Sequence, residues 1–168
     1  IGCPGDSVSI VDGYYRNSSC PERVFGSGQL QRHLSDTPDP VLLEEHVYLP
    51  AFPFIDSLGW SVRDFGPMYV PGRGDVVILD TVSAKLYEMQ IEFETGIRPV
   101  VNGDTVLMDG KPMKEYRFRD NWYFFGGDNV LNSKDSRYIG LVPEEYIVGI
   151  ATHVIWKDGR FRFSKIME

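Results

Sequence analysis

The sequence predicts an all-β fold, mostly antiparallel, with a minor α part. Asp-Gly, which supplies the positive backbone angles of a tight two-residue hairpin turn, occurs at 12–13, 109–110 and 158–159. Each pair stands between segments rich in alternating apolar residues. The strictest alternation is at 160–166, where Arg-Phe-Arg-Phe-Ser-Lys-Ile predicts a strand with one buried face.

Helical signals are few. One short helix is predicted at residues 81–95, because apolar residues recur there at helical spacing and Gly96 follows as a C-terminal stop. Between residues 23 and 71, prolines are expected to interrupt long regular elements, and within that stretch 41–49 predicts either a short helix or a short strand. These prolines are Pro38, Pro40, Pro50, Pro53 and Pro67.

Size and charge narrow the function classes. A chain of 168 residues is expected to form one domain, or one domain with a lobe. Its 24 acidic and 17 basic side chains give a net charge of -7, which opposes nonspecific binding to nucleic acid. The longest apolar stretch, 146–156, is too short to cross a bilayer. Because the chain opens on Ile1 and directly enters a turn-rich motif, we expect it to be a fragment of a longer protein.

Cysteine and histidine give no catalytic or metal-binding pattern. Cys3 and Cys20 leave open whether one disulfide bridge forms, and Cys3 is expected to occupy a small buried apolar position. No histidine is placed to activate a cysteine. His33 with the cluster at 44–46 matches no zinc spacing, so that cluster is interpreted as a solvated acidic turn. No cofactor and no metal are expected.

Two motifs carry an identification. Residues 127–143 run Gly-Asp-Asn-Val-Leu-Asn-Ser-Lys-Asp-Ser-Arg-Tyr-Ile-Gly-Leu-Val-Pro, and the aromatic segment 121–125 leads into them. At the other end, residues 1–6 run Ile-Gly-Cys-Pro-Gly-Asp. In this order, the two motifs resemble the last conserved box and the end of the lysine-containing box of bacterial type I signal peptidases. Val130 and Leu131 depart from that family, which commonly has arginine and aspartate there.

The resemblance implies a chemistry and a location. In that family a serine attacks the substrate carbonyl and a lysine amine acts as the general base, which requires apolar surroundings that keep the amine neutral. The parent protein would be a signal peptidase I, cleaving leader peptides from exported preproteins at the extracytoplasmic (periplasmic) face of the bacterial inner membrane. A missing N-terminal anchor would hold it in the membrane. Nucleophile and lysine would both precede Gly2, so the fragment itself is predicted to be inactive.

The same resemblance assigns supporting roles to residues of this chain. Ser133 would orient the lysine amine, and Asp135 and Arg137 would pair and hold the loop. Asp128 and Asn129 would shape the preceding turn. The turn after the missing lysine would consist of Gly2, Pro4, Gly5 and Asp6.

The resemblance also divides the chain. Residues 1–6 and 121–168 would belong to the catalytic β core, as a remnant of its barrel, while 7–120 would form a non-catalytic inserted β lobe. Unpaired strand edges in such a remnant predict a homodimer of the fragment. Residues 122–125 are expected to pack in the core. No role is assigned to 21–57, and Cys3–Cys20 pairing stays open. The alternative function is a non-enzymatic extracytoplasmic β module, or a degenerate peptidase relative that binds export partners.

Overall fold

A computed structural model describes residues 1–157 and 159–165. The mostly β fold with a minor α part is confirmed: within these ranges the chain forms short strands, all paired antiparallel in five small sheets, and no closed barrel. The strands are β1 Ser7–Val11, β2 Tyr14–Asn17, β3 Phe65–Tyr69, β4 Val76–Ile78, β5 Val100–Asn102, β6 Thr105–Met108, β7 Lys111–Pro112, β8 Glu115–Arg117, β9 Trp122–Tyr123, β10 Val142–Pro143, β11 His153–Lys157 and β12 Arg160–Lys165. The α-helices are α1 Gly28–Asp36, α2 Asp39–Glu44, α3 Thr81–Leu86, α4 Glu88–Thr95 and α5 Ser136–Ile139.

The Asp-Gly turns build hairpins as predicted. Asp12 and Gly13 have φ values of 50° and 81° between β1 and β2, and Asp109 and Gly110 have 49° and 72° between β6 and β7. Strands β11 and β12 also pair, with Gly159 at φ 73° between them. The predicted turn residue at 158 and the predicted strand end at 166 lie outside the described residues.

The apolar side chains that the structure describes on the last hairpin are exposed, although the sequence predicted a buried face there. Phe161 is 70% exposed and Trp156 on the facing strand is 65% exposed. Within the described ranges, β11 and β12 pair only with each other. Alternation identified the strand correctly, but burial also requires a covering surface, which this part of the chain does not supply. No helix in the described structure is long and apolar enough to span a membrane.

The predicted helix at 81–95 is two helices. Asp80 caps the first by accepting hydrogen bonds from the backbone of Val82 and Ser83. The chain leaves helical geometry at Tyr87, whose hydroxyl donates to the backbone carbonyl of Tyr69 at 2.9 Å. Gly96, at φ 72°, ends the second helix as predicted. A contact with β3 therefore divides one amphipathic segment.

Helices also form in the proline-rich stretch, where the sequence predicted irregular chain. Ser27 caps α1, and Pro38 stands at the N-cap of α2 with Pro40 in its first turn. Proline is tolerated at these positions because the first backbone N–H groups of a helix have no partner within it. Of the two options for 41–49, the structure adopts the helix, which ends at Glu44.

Arg63 fastens these helices to the first sheet, which has the strand order β2-β1-β3. Its guanidinium donates to the carbonyl oxygens of Leu34 and Thr37 and pairs with Asp39 at 2.7 Å. Its own carbonyl accepts from Gly13 in the β1–β2 turn. One cluster of buried apolar side chains then joins the sheet, the helices and the aromatic segment that ends at 125; its largest fully buried members include Leu34, Leu42, Met68, Ile91, Phe118, Trp122 and Phe124.

Glu94 at the end of α4 holds the chain that leads to β9. Its carboxylate accepts hydrogen bonds from the Tyr116 hydroxyl at 2.7 Å and from the Trp122 indole at 2.8 Å. The backbone N–H groups of Arg119 and Asp120 donate to the same carboxylate at 2.8 and 3.2 Å. One side chain therefore connects a helix of the 7–120 segment to the aromatic segment that follows it.

Removing this carboxylate should destabilise the fold. We expect Glu94→Ala to lower the free energy of unfolding by about 2–4 kcal/mol, because several donors lose a charged acceptor. Glu92→Ala is the matched control: Glu92 lies on the same helix in a partly exposed pair with Arg98, so its loss should cost at most about 1 kcal/mol. Urea denaturation of both variants checks the difference, and equal losses would contradict it.

Candidate functional site

The first residues of the chain pair with the aromatic segment before the Gly-Asp-Asn motif. Gly2 donates to the carbonyl of Phe124 at 3.1 Å and accepts from its N–H at 2.9 Å. The amino group of Ile1 donates to the same carbonyl at 3.1 Å. A Cβ on Gly2 would lie 2.5 Å from the side chain of Val8, so only glycine fits this approach. The two motifs, separated by more than a hundred residues in sequence, are thus adjacent in the structure.

The carboxylate of Asp6 organises the first motif. It accepts from the backbone N–H of Cys3 and from the side chain of Asn17, both at 2.8 Å, and from the hydroxyl of Ser19. Burial opposes ionisation of Asp6, but these hydrogen bonds outweigh it and lower its pKa. Gly5 turns the chain with φ 92°, and Pro4 beside it lies against Gly72, where an added Cβ would come within 3.1 Å of Pro4 Cβ.

Asp135 and Arg137 form the buried centre of the second motif. Two parallel hydrogen bonds of 2.9 Å join the guanidinium to both carboxylate oxygens. A third guanidinium nitrogen donates to the carbonyl of Val130 at 2.9 Å. The rings of Tyr15 and Tyr138 lie 5.8 and 5.5 Å from the guanidinium carbon. Arg137 has no exposed surface, so every one of these contacts contributes to keeping its charge in the interior.

The Asp135 carboxylate also fixes the loop around it. It accepts from the backbone N–H of Gly127 at 2.8 Å and, as the cap of α5, from that of Arg137 at 3.1 Å. Burial works to raise the pKa of Asp135, but the hydrogen bonds and charge of Arg137, with bonds from Gly127 and Ser133, bring it below its usual value. The carboxylate therefore stays ionised across the neutral range.

Ser133 is held against the start of the motif. Ser133 is one of the groups that lower the pKa of Asp135, and a Cβ added to Gly127 would come within 2.1 Å of Ser133 Oγ. The preceding turn is closed by the backbone, since the N–H of Asn132 donates to the carbonyl of Asn129 at 3.0 Å. Asp128 and Asn129 are both exposed on that turn. Ser133 is thus brought together with Asp135 and Arg137, while Asp128 and Asn129 lie at the periphery.

The aromatic segment has one buried and one open face. Trp122 and Phe124 are buried, as expected for 122–125, but Phe125 is 45% exposed and its ring lies 6.4 Å from that of Tyr123. The backbone of Phe125 is tied to Ser136 by two hydrogen bonds of 2.9 and 3.0 Å. Ser136, Tyr15 and Gly127 are site residues that sequence reasoning missed. For Ser136 and Gly127, the only signal in the sequence is their position in the Gly-Asp-Asn motif.

The cysteines and histidines add no chemistry to this site. Both cysteines are free, and Cys3 is exposed, so the expected buried position is wrong; the turn around Asp6 directs it outward. His33 contacts Glu45 at 3.0 Å. The described ranges contain no group of three or more side chains placed to hold a metal ion. In the described structure no hydrogen bond joins a lysine amine to Ser133.

Comparison with known proteins points to one family. The family model described as "Signal peptidase, peptidase S26" matches residues 109–156. Signal peptidase I of Buchnera aphidicola subsp. Schizaphis graminum is 44% identical over 59 residues, covering 35% of this chain and 19% of that protein. Signal peptidase I T of Bacillus subtilis is 29% identical over 118 residues, covering 55% of this chain and 61% of that protein.

The chain spans less than two thirds of the length of both curated relatives. No solved structure matches it. The family match includes the whole of the Asp135–Arg137 loop and the aromatic segment that feeds it. The residues that the structure brings together at the buried pair are therefore within the matched region.

Breaking the buried pair should destabilise the fold, and the loss of stability should depend on pH. Asp135→Asn should lower the free energy of unfolding by about 3–5 kcal/mol, because it leaves a buried guanidinium without its counter-charge. Since the folded pKa of Asp135 is depressed, its stabilising contribution is present above the unfolded value near 3.8 and is lost as pH falls through the folded value. Asp128→Asn, at an exposed position in the same loop, is the control. Unfolding curves of both variants are measured at neutral and at acid pH. Equal losses of stability in the two variants would contradict the prediction.

A second test concerns the contact between Gly127 and Ser133. Gly127→Ala should displace Ser133 and reduce stability by about 1–3 kcal/mol, because the added methyl group overlaps the Ser133 side chain. Gly149→Ala, where nothing lies within 4 Å of the added atom, should change stability by less than about 0.5 kcal/mol. Thermal unfolding of the two variants measures both effects. A neutral Gly127→Ala would show that Ser133 is not held there.

Proposed function

We propose that the chain belongs to the type I signal peptidase family and that the protein of which it forms part cleaves leader peptides from exported preproteins. The observation that carries the proposal is the buried Asp135–Arg137 pair, whose carboxylate binds the N–H of Gly127, three residues after the Phe124 that pairs with Gly2. In the family the lysine-containing box ends in the motif that includes Gly2. The loop that would support the base therefore lies next to the strand that would carry it.

The proposed reaction uses a serine hydroxyl and a neutral lysine amine. The amine takes the proton of the hydroxyl while its oxygen attacks the peptide carbonyl, and the protonated amine then returns the proton to the leaving amine. An amine can do this only if its pKa is lowered toward neutrality. The Ser133 hydroxyl would orient that amine through a hydrogen bond, as the family resemblance implies, and Asp135 would hold Ser133 in place.

The open face of the aromatic segment suits a base that must stay neutral. Phe125 and Tyr123 present an open aromatic face on the segment that pairs with the start of the chain. If the antiparallel pairing of Gly2 with Phe124 continues upstream, the preceding residues run alongside Phe125 and Gly127. Apolar rings around an amine disfavour its charged form and lower its pKa. This arrangement supports placing the lysine in the upstream segment.

That placement would divide the chain into a catalytic and a non-catalytic part. We propose that 1–6 and 121–168 belong to the catalytic core and that 7–120 is a non-catalytic lobe. Nucleophile, base and membrane anchor would all come from residues before Gly2, and the catalytic part would stand at the extracytoplasmic face of the membrane. The 168-residue chain alone should then leave a peptide with a small-x-small site uncut, and turnover by it would refute this assignment.

The exposed hairpin β11–β12 favours a second candidate function. Its open apolar side chains, among them Trp156 and Phe161, form the kind of patch that binds partners. On that alternative the protein is a non-enzymatic extracytoplasmic module, or a degenerate relative that binds export partners. A homodimer through the same edge is a related proposal. Upstream residues with a serine, a lysine and an apolar anchor would favour the peptidase.

Ser133 provides the test in the whole protein. Ser133→Ala should lower kcat for leader-peptide cleavage roughly tenfold or more, because one hydrogen bond that orients the base is lost. The acid limb of the pH profile of kcat should move as well, since that bond also influences protonation of the amine. Steady-state kinetics on a labelled preprotein peptide measure both.

Asp104→Ala is the control, because its side chain is exposed in the turn between β5 and β6 and lines neither pocket described below. It should leave kcat and the pH profile unchanged. A Ser133→Ala enzyme with wild-type kinetics would make Ser133 a turn residue only. A fall in kcat that merely follows lost stability, with an unmoved pH profile, would also count against an orienting role.

A further inference from the structure

Two pockets adjoin beside the Gly-Asp-Asn loop and share the side chain of Ile139. The first has a volume of about 330 Å³ and is lined by residues that include His46, Phe54, Ser133 and Lys134. The second has a volume of about 280 Å³. It lies against helix α4, with Gln90, Phe93 and Tyr146 among its lining residues. We call the two pockets together the flank groove.

The flank groove is rimmed by exposed apolar side chains. Tyr48, Phe54, Ile139 and Tyr146 are each at least half exposed. The ring of Tyr146 stands edge-on to that of Phe93, with 5.8 Å between centroids. A row of such side chains along a depression is characteristic of a surface that binds another molecule.

Backbone strain is concentrated in the wall of the first pocket. Four described non-glycine residues have φ in the left-handed region. Two of them, Asp12 and Asp109, stand in hairpin turns, where aspartate tolerates this conformation. The other two are His46 at φ 63° and Phe54 at φ 60°, and both line the first pocket. A bulky residue adopts this conformation only where its surroundings enforce it, as happens at binding sites.

Gln90 supplies a second, independent indication in the other pocket. It has no exposed surface, and neither its amide nitrogen nor its amide oxygen has a hydrogen-bond partner in the described structure. A buried amide without partners is unfavourable. A peptide group would satisfy both atoms, because it offers one acceptor and one donor. An apolar pocket with one such amide suits a peptide in extended conformation.

Charge indicates which peptide the first pocket would accept. Lys134 and His46 both line it, and neither forms an ion pair with any residue in the described ranges. The chain as a whole carries a net charge of -7. A basic pocket on an acidic protein selects a ligand that brings a carboxylate to that place and disfavours a cationic one.

We propose that the flank groove binds an extended segment of the substrate peptide, with an acidic side chain in the first pocket and an apolar side chain and its peptide group in the second. This inference rests on the proposed function, because it takes the substrate to be a preprotein. It adds a region of recognition to the small residues around the cut. His46 and Phe54 come from the 21–57 segment, which thereby acquires a role in substrate selection.

The first test measures the role of Gln90. A fluorescein-labelled peptide of alternating valine and threonine, with one aspartate, one leucine and no small-x-small site, is titrated with the 168-residue chain by fluorescence anisotropy. Gln90→Met should weaken binding about tenfold, because the peptide group loses its partners. The unfolding midpoint of the variant should stay or rise, because an unpaired buried amide has been removed. Gln29→Met, at an exposed position on α1, should change neither.

Two results of this test would overturn the role of Gln90. Unchanged binding by Gln90→Met would mean that the amide does not meet the peptide. A lowered unfolding midpoint would mean that the amide is already paired in the free protein, by bound water.

The second test measures charge selection. Lys134→Glu should weaken binding of the aspartate peptide about tenfold and strengthen binding of the same peptide with lysine in place of aspartate. Lys111→Glu on β7 lines neither pocket and changes net charge equally, so it is the matched control. Equal effects of the two variants would show that peptide binding responds only to the net charge of the protein, and this would overturn the proposal.

The whole protein separates this inference from the proposed function. Peptide binding by the chain but not by the whole protein would show that the groove is filled by the protein's own upstream segment, which overturns the inference. Binding that persists in a whole protein unable to cut leader peptides would instead contradict the proposed function alone. If the wild type and Lys134→Glu cleaved preproteins with equal efficiency, whether or not those preproteins carried acidic residues, the inference alone would be contradicted.

Discussion

A fully buried guanidinium imposes the strongest local constraint on this structure. Arg137 has to find counter-charge and hydrogen-bond acceptors inside the protein, and it finds them in Asp135 and in the carbonyl of Val130. That requirement dictates the path of the loop from Gly127 onward, because the same carboxylate also binds the Gly127 N–H. The position of Ser133 is a consequence. A loop with many exposed polar residues is thereby held in one arrangement around a buried ion pair.

Support for the pair comes from distant parts of the chain. The ring of Tyr15 lies against Arg137, and the backbone N–H of Tyr15 donates to the buried amide of Gln31 on α1 at 3.0 Å. Glu94 on α4 holds the other end of the aromatic segment. Helices outside the two sequence motifs therefore position the motifs. Changes in α1 or α4 can for this reason influence the geometry of the Asp135–Arg137 loop.

Sequence reasoning succeeded where the signal was local. The Asp-Gly turns at 12–13 and 109–110 need only two residues to specify their backbone, and the stop at Gly96 needs one. It missed α1 and left α2 open between helix and strand, because Pro38 and Pro40 were taken as interruptions, whereas they stand where α2 begins. The burial of Arg137 and the role of Tyr15 could not be predicted, since they depend on a contact between residues more than a hundred positions apart. The exposure of Phe125 and Trp156 likewise depends on which residues cover a strand, and the alternation of apolar and polar residues does not predict that.

Exposed apolar surface in this chain is of two physical kinds. Around Trp156 and Phe161 it lies on a hairpin whose two strands, within the described residues, pair only with each other. Any flat apolar surface, or a further strand, can pack against such a face. In the flank groove the apolar rim is combined with strained backbone at His46 and Phe54, an unpaired buried amide at Gln90 and an unpaired lysine at 134. These features carry a cost in the free protein and discriminate among ligands, so the hairpin suits packing and the groove suits selective recognition.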